Sequence, residues 1–221
     1  MLNVSIMAYD YAGYGKSAGG PTTEENIYMD IEAAYDHLLT ERNLLPENIV
    51  LYGRSLGSGP TLYLAEKTAK EGRSIAGVIL QSPILSVYRV AFNFRFTMVG
   101  DRFPNIDRIA NVEAPTLIIH GTADEVVPFW HGQELYNMLD IGWRVKPFWI
   151  KGAGHNNIEL LLREKGHFVK RIEHYLDDFV PARRGRAERS AKIQGEREYD
   201  YPRDTTSGEQ IRENMIQVDV R

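Results

Sequence analysis

Three side chains, far apart along this sequence, have the types that acyl transfer requires: Ser55, Asp124 and His155. Ser55 lies in Gly53-Arg54-Ser55-Leu56-Gly57, a G-x-S-x-G between an apolar, β-rich run at 48–52 and a helical run at 60–66. On a sharp strand-to-helix turn, small flanking residues let the backbone strain enough to expose the serine hydroxyl. The helix that follows brings a positive dipole end and free N–H groups, which favour an oxyanion. Serine is a weak nucleophile, so a histidine must take its proton and a carboxylate must fix the tautomer of that histidine. Asp124 falls in the turn after the buried-type strand 116–120, and His155 falls in Lys151-Gly152-Ala153-Gly154-His155-Asn156-Asn157, after the short strand 147–150. Serine, then carboxylate, then histidine, each just past a strand, is one of three chain orders in which such a triad occurs, and the one that goes with a strand–turn–helix elbow.

Each candidate has a plainer role to set beside it. His155 could be a polar turn residue, but the preceding Gly-Ala-Gly gives its loop the freedom to bring the ring back to a serine. Asp124 could cap the helix that starts near Pro128, and Glu125 is the rival carboxylate next door; Asp124 is preferred. His120, at a strand end, reads as a packed core histidine. His37, His131, His167 and His174 fall on helical patterns and read as surface or half-buried residues. With no cysteine and no His/Asp/Glu cluster at ligand spacing, no metal and no cofactor is expected.

The elements that must position these residues alternate between strand and helix, as a mostly parallel sheet covered by helices demands. Strands are predicted at 3–9, 48–53, 75–81, 115–120 and 145–150. Thr22 and Glu25 have capping-box spacing and open a helix with Ile27, Ile31, Ala34 and Leu38 on one face. Further helices are predicted from the elbow to about Lys70, from Pro128 to Leu139, and from about 158 to 180. The last turns Phe168, Ile172, Tyr175, Leu176 and Phe179 to the core and stops at Pro181. Within 84–110, Phe92, Phe94, Phe96 and Met98 alternate, a pattern that suits an acyl groove in a lid segment as well as simple core packing.

Several segments together resemble the α/β-hydrolase fold, within the serine-aminopeptidase-like hydrolases. More narrowly they are similar to the α/β-hydrolase domain-containing protein 17 group of protein depalmitoylases. The segments are YDYAGYGKSAG at 9–19, NIYMDIEAAYDHL at 26–38, LYGRSLGSGPTLYLA at 51–65, FPNIDRI at 103–109, LIIHGTADEVVPFWHG at 117–132 and GAGHNNIEL at 152–160. The resemblance implies Ser55 as nucleophile, Asp124 as acid member, His155 as base and the N–H of Leu56 as one oxyanion donor. It implies an acylated (palmitoylated) protein or a small ester as substrate. It also implies that the family's first three strands, and the His-Gly-Asn loop with its second oxyanion donor, are absent here. That absence leaves a truncated hydrolase, or a non-catalytic scaffold, as the alternative expectation.

Composition places the rest. The 221 residues, 43% apolar and 25% charged, are ordinary for a globular domain, read as 1–181 with a charged tail at 182–221. A net charge of −4 argues against nucleic acid. No signal-peptide pattern or spanning-length apolar run is seen, and the cysteine-free composition suits a cytoplasmic chain. The tail opens with Arg183, Arg184, Arg186, Arg189 and Lys192, a solvated run that could also bring the chain to the periphery of an anionic membrane.

Overall fold

The structure, a computed structural model, describes residues 2–92, 99–163 and 166–180. Four of the predicted strands form: β1 (Val50–Arg54), β2 (Gly77–Gln81), β3 (Thr116–Gly121) and β4 (Phe148–Ile150). They pair in that order, all parallel, with Leu51 opposite Val78, Leu80 opposite Ile118 and His120 opposite Trp149. Every residue of β2 and β3 is buried, as expected for central parallel strands covered on both faces. The segment 3–9 is not a strand, contrary to the sequence reading. No described element pairs with it, and without a ladder its apolar residues lie open, Ile6 being 85% exposed.

Alternation along the strands sorts the core into two layers. Val78, Leu80 and Ile118 point to one face, where Ile31 and Tyr35 of α1 (Glu24–Thr40), Leu62, Leu64 and Ala65 of α2 (Ser58–Lys70) and Leu135 of α5 (Trp130–Met138) cover them. Ile79, Leu117, Ile119, Phe148 and Ile150 point to the other, covered by Tyr175 and Leu176 of α7 (His167–Phe179). Phe168, Ile172 and Phe179 pack on the same layer, as their spacing predicts. The predicted helix 158–180 is in two pieces, α6 (Ile158–Leu161) and α7. Gly166 precedes α7 in the left-handed conformation (φ 60°), which a continuous helix cannot absorb. At the start of α1 the cap is one residue later than expected. Thr23 accepts from the Asn26 N–H, while the Thr22 hydroxyl donates to the Ala12 carbonyl instead.

The excursion after β2 holds α3 (Val87–Ala91) and α4 (Asn105–Arg108). Its ends are tied by a buried ion pair, Arg89 Nη1 to Asp101 Oδ2 at 3.1 Å, with side chains 1% and 0% exposed. Asp101 Oδ1 also accepts from the Tyr88 and Arg102 amides, so both oxygens of this carboxylate are used. Phe92, the first of the alternating aromatics, is 66% exposed. Phe94, Phe96 and Met98 lie outside the described residues, as does the tail 182–221.

His131 departs from its predicted surface or half-buried position and is fully buried on α5. Its Nδ1 accepts from the Leu85 N–H at 3.0 Å, which makes the ring neutral with its proton on Nε2. Helical periodicity alone missed this partner, which comes from the loop after β2.

Two stability predictions follow from these buried polar groups. Asp101→Ala removes the carboxylate that Arg89 Nη1 meets in the buried pair and should cost about 3–5 kcal/mol in urea unfolding, whereas Asp101→Asn, which keeps an acceptor, should cost less. Burial pushes the His131 pKa down from 6.5 to about 4, with the nearby charge of His120 acting in the same direction. Between those values the unfolded chain takes up a proton that folded His131 refuses, so its contribution is complete above pH 6.5 and is lost as pH falls towards 4. Urea midpoints across that window should drop less steeply for His131→Gln, whose amide oxygen can still accept from Leu85; an unchanged slope would assign the effect to another group.

Candidate active site

Because all four strands are parallel, the turns after β1, β3 and β4 open on one edge of the sheet, and each carries one of the three candidates. Ser55 follows β1 directly in a short 3-10 turn, Ser55–Gly57, which runs into α2. Its φ is +51°, a left-handed conformation that costs a non-glycine residue about 1–3 kcal/mol. The cost is held by a buried knot. The Ser58 hydroxyl donates to the Ser55 carbonyl at 2.6 Å and accepts from the Ile84 amide and from Asn105 Nδ2. Gly53 is sterically required, since a Cβ there would stand 2.5 Å from Thr61 Oγ1 and 2.6 Å from the Gly57 carbonyl oxygen. Gly57 is not: it has helical angles, and only Tyr11 Oη comes within 4 Å of the place a Cβ would take. Ser55 is half-buried, and Leu56, whose N–H is the expected oxyanion donor, is exposed in the same turn.

Asp124 and His155 meet. His155 Nδ1 lies 2.8 Å from Asp124 Oδ2 and 3.1 Å from Oδ1, with both residues buried. Nδ1–H therefore donates to the carboxylate, which in the neutral ring puts the lone pair on Nε2. Asp124 Oδ1 also accepts from the Val126 and Val127 amides, at 3.0 and 2.8 Å. Burial pushes the Asp124 pKa up, but hydrogen bonds from His120, His155 and the two amides outweigh it and hold the carboxyl well below its ordinary value. These donors favour the anionic form of Asp124. Among the described residues no hydrogen bond joins Ser55 Oγ to the imidazole. The two loops are linked instead by Arg54, whose Nη2 donates to the His155 carbonyl at 2.9 Å and to Asn156 Oδ1 at 2.7 Å.

Glu125, the rival carboxylate, does not reach the imidazole; its Oε2 accepts from the backbone N–H of His155 at 3.3 Å. His120 is a packed core histidine, as read, but it also serves the acid. Its Nε2–H donates to the Val127 carbonyl at 2.9 Å and lies 3.3 Å from Asp124 Oδ2. Gly132 makes room for the ring, since a Cβ there would meet His120 Nδ1 at 2.5 Å. Sequence reasoning missed the second contact because His120 and Asp124, although four residues apart, lie on a strand end and the turn after it, where that spacing carries no expectation of contact. It missed Arg54 because the second residue of G-x-S-x-G carries no chemical expectation.

Comparison with known proteins agrees with this architecture. The family model described as "Serine aminopeptidase, S33" matches residues 2–107. The α/β-hydrolase domain-containing protein 17C of Xenopus tropicalis is 45% identical over 181 residues, 81% of this chain and 54% of that protein. Human protein 17B is 44% identical over 176 residues, 79% of this chain and 57% of the relative. The chain spans about half the length of the curated relatives it matches. Among solved structures, a monoacylglycerol lipase of Paleococcus ferrophilus superposes with a TM-score of 0.55 at 21% identity, covering 76% of this chain and 81% of its own. An alpha-beta serine hydrolase homologue from Coxiella burnetii gives 0.56 at 21% identity, covering 73% and 66%. These likenesses are of fold, and the sheet described above is part of that fold. The chain has the α/β-hydrolase fold and is similar to the serine-aminopeptidase-like family and to the α/β-hydrolase domain-containing protein 17 group.

Proposed function

We propose that this chain is a serine hydrolase that cleaves carboxylic esters or thioesters through an acyl-enzyme. Ser55 Oγ attacks the acyl carbon while His155 Nε2 takes its proton. Asp124 holds the imidazole and stabilises the imidazolium, and the Leu56 N–H donates to the oxyanion. The same proton then goes to the leaving alkoxide or thiolate, and water, deprotonated by His155, releases the acid and restores Ser55. The observation that carries the reading is the buried Asp124–His155 hydrogen bond on the edge that also holds Ser55 in its strained turn. Likeness to the protein 17 group points to an acylated, in particular palmitoylated, protein as substrate, with small esters or peptides as the wider alternative. A protein substrate of that kind sits at a membrane surface. No described helix is long and apolar enough to cross one. The basic run from Arg183 to Lys192 would serve for peripheral contact with an anionic surface.

One observation favours a second reading, a non-catalytic scaffold: the Ser55 hydroxyl and the imidazole are not hydrogen-bonded, although such bonds are often long until substrate binds. A fluorophosphonate probe separates the two readings. The hydrolase reading expects Ser55-dependent labelling, none in Ser55→Ala, and a loss of roughly ten-thousandfold in turnover of an activated ester for Asp124→Asn, which mis-sets the histidine tautomer. A folded chain that takes up no probe is the result the scaffold reading expects.

A further inference from the structure

We propose that Arg54 and Glu125 are positioning residues that clamp the backbone of His155 and so set its imidazole between Ser55 and Asp124; this rests on the reading of those three residues as one unit. Each clamping residue is the immediate neighbour of another member. Arg54 precedes Ser55 on the elbow, and Glu125 follows Asp124 on the acid turn. The Glu125 carboxylate accepts from the N–H of His155 at 3.3 Å. The Arg54 guanidinium donates to the C=O of the same residue at 2.9 Å and, through the same nitrogen, to Asn156 Oδ1 at 2.7 Å. An anion on the amide and a cation on the carbonyl are both charge-assisted, and both match the polarity of the peptide groups they hold.

The loop needs such holding. It leaves β4 through Gly152, at φ +73°, then Ala153 and Gly154, so the backbone before His155 is permissive on its own. Glu125 lies so close that a Cβ on Gly154 would stand 2.5 Å from its Oε2. Among the described residues the hydrogen bonds between the elbow and the histidine loop all start at Arg54; on the other side Thr122 and Ala123 hold Gly152 and Ala153, and Glu125 holds the N–H of His155 itself. A shift of either turn is therefore passed to the peptide of the base. The clamp acts where geometry is costly, because a misplacement of about 1 Å in a reacting group can lower a rate a hundredfold.

The test uses the full chain, with Arg54→Ala, Arg54→Lys and Glu125→Gln. Hydrogen–deuterium exchange of peptides spanning 152–157 reads the clamp whether or not the chain is active. The rate of Ser55 labelling by a fluorophosphonate, with kcat and KM on an activated ester, reads the positioning. Arg54→Ala should speed exchange in this loop about tenfold, slow labelling about tenfold and lower kcat with KM unchanged. Arg54→Lys should recover part of each, since it keeps the charge but not the planar donor array of guanidinium. Glu125→Gln, which keeps an acceptor without charge, should show the same pattern, smaller. Unchanged exchange in Arg54→Ala overturns the clamp, and slower labelling with unchanged exchange overturns it too, by placing Arg54 at the serine itself. Faster exchange with unchanged labelling overturns the positioning role. A wild-type chain that takes no probe counts against the proposed hydrolase, while exchange still decides the clamp.

Discussion

All four strands run in one direction, and every other property of the site follows from that constraint. A parallel ladder forces each chain reversal to the same edge, so residues 55, 124 and 155 become neighbours without being close in sequence. It also buries β2 and β3 on both faces, which makes the floor of the edge rigid. The turns above that floor need not be regular. They are short where strain must be held, as after β1, and glycine-rich where the chain must fold back, as after β4.

The strain at Ser55 is concentrated in one residue, and the polar groups that hold it lie beneath the elbow rather than beside the hydroxyl. Ser58 and Asn105 are both fully buried, so their hydrogen bonds to the Ser55 carbonyl, the Ile84 amide and the Ile84 carbonyl are shielded from water. Buried polar groups of this kind are costly to leave unmade, which makes the knot a one-sided constraint: relaxation of Ser55 strands the buried Ser58 hydroxyl, which donates to its carbonyl. Ser55 itself stays half-buried on the edge, and its hydroxyl takes no part in the knot.

How much of this was legible beforehand can be followed residue by residue. Four strands and the faces of α1 and α7 were readable because period-two and period-3.6 patterns record burial directly. The order of Ser55, Asp124 and His155 was readable because each stands just past a strand. What could not be read are relations between segments. The 3–9 run has the composition of a strand, yet a strand exists only with a neighbour. His131 has a surface pattern on its helix and is buried by the Leu85 loop. The clamping roles of Arg54 and Glu125 depend on loops that meet only after the sheet has formed. Gly57 shows the reverse error, a motif glycine whose position leaves ample room for a side chain.

Charge on the edge is arranged so that one group can change its state while its neighbours do not. Asp124 is held anionic by four sets of donors: His120, His155 and the amides of Val126 and Val127. Three of those stay in place if the His155 ring turns. The amides belong to its own turn, and His120 is walled in by Gly132 and anchored on the Val127 carbonyl. His131, nearby, stays neutral because burial opposes its protonation. Of the three rings gathered here, only His155 has its carboxylate partner at Nδ1, which in the neutral ring puts the lone pair on Nε2. A fixed anion facing a ring that can accept a proton requires no reorganisation when positive charge develops on that ring. The preorganisation therefore lies in the acid turn, and the freedom lies in the histidine loop, which is why the backbone of His155, more than its side chain, is where the geometry of this edge has to be controlled.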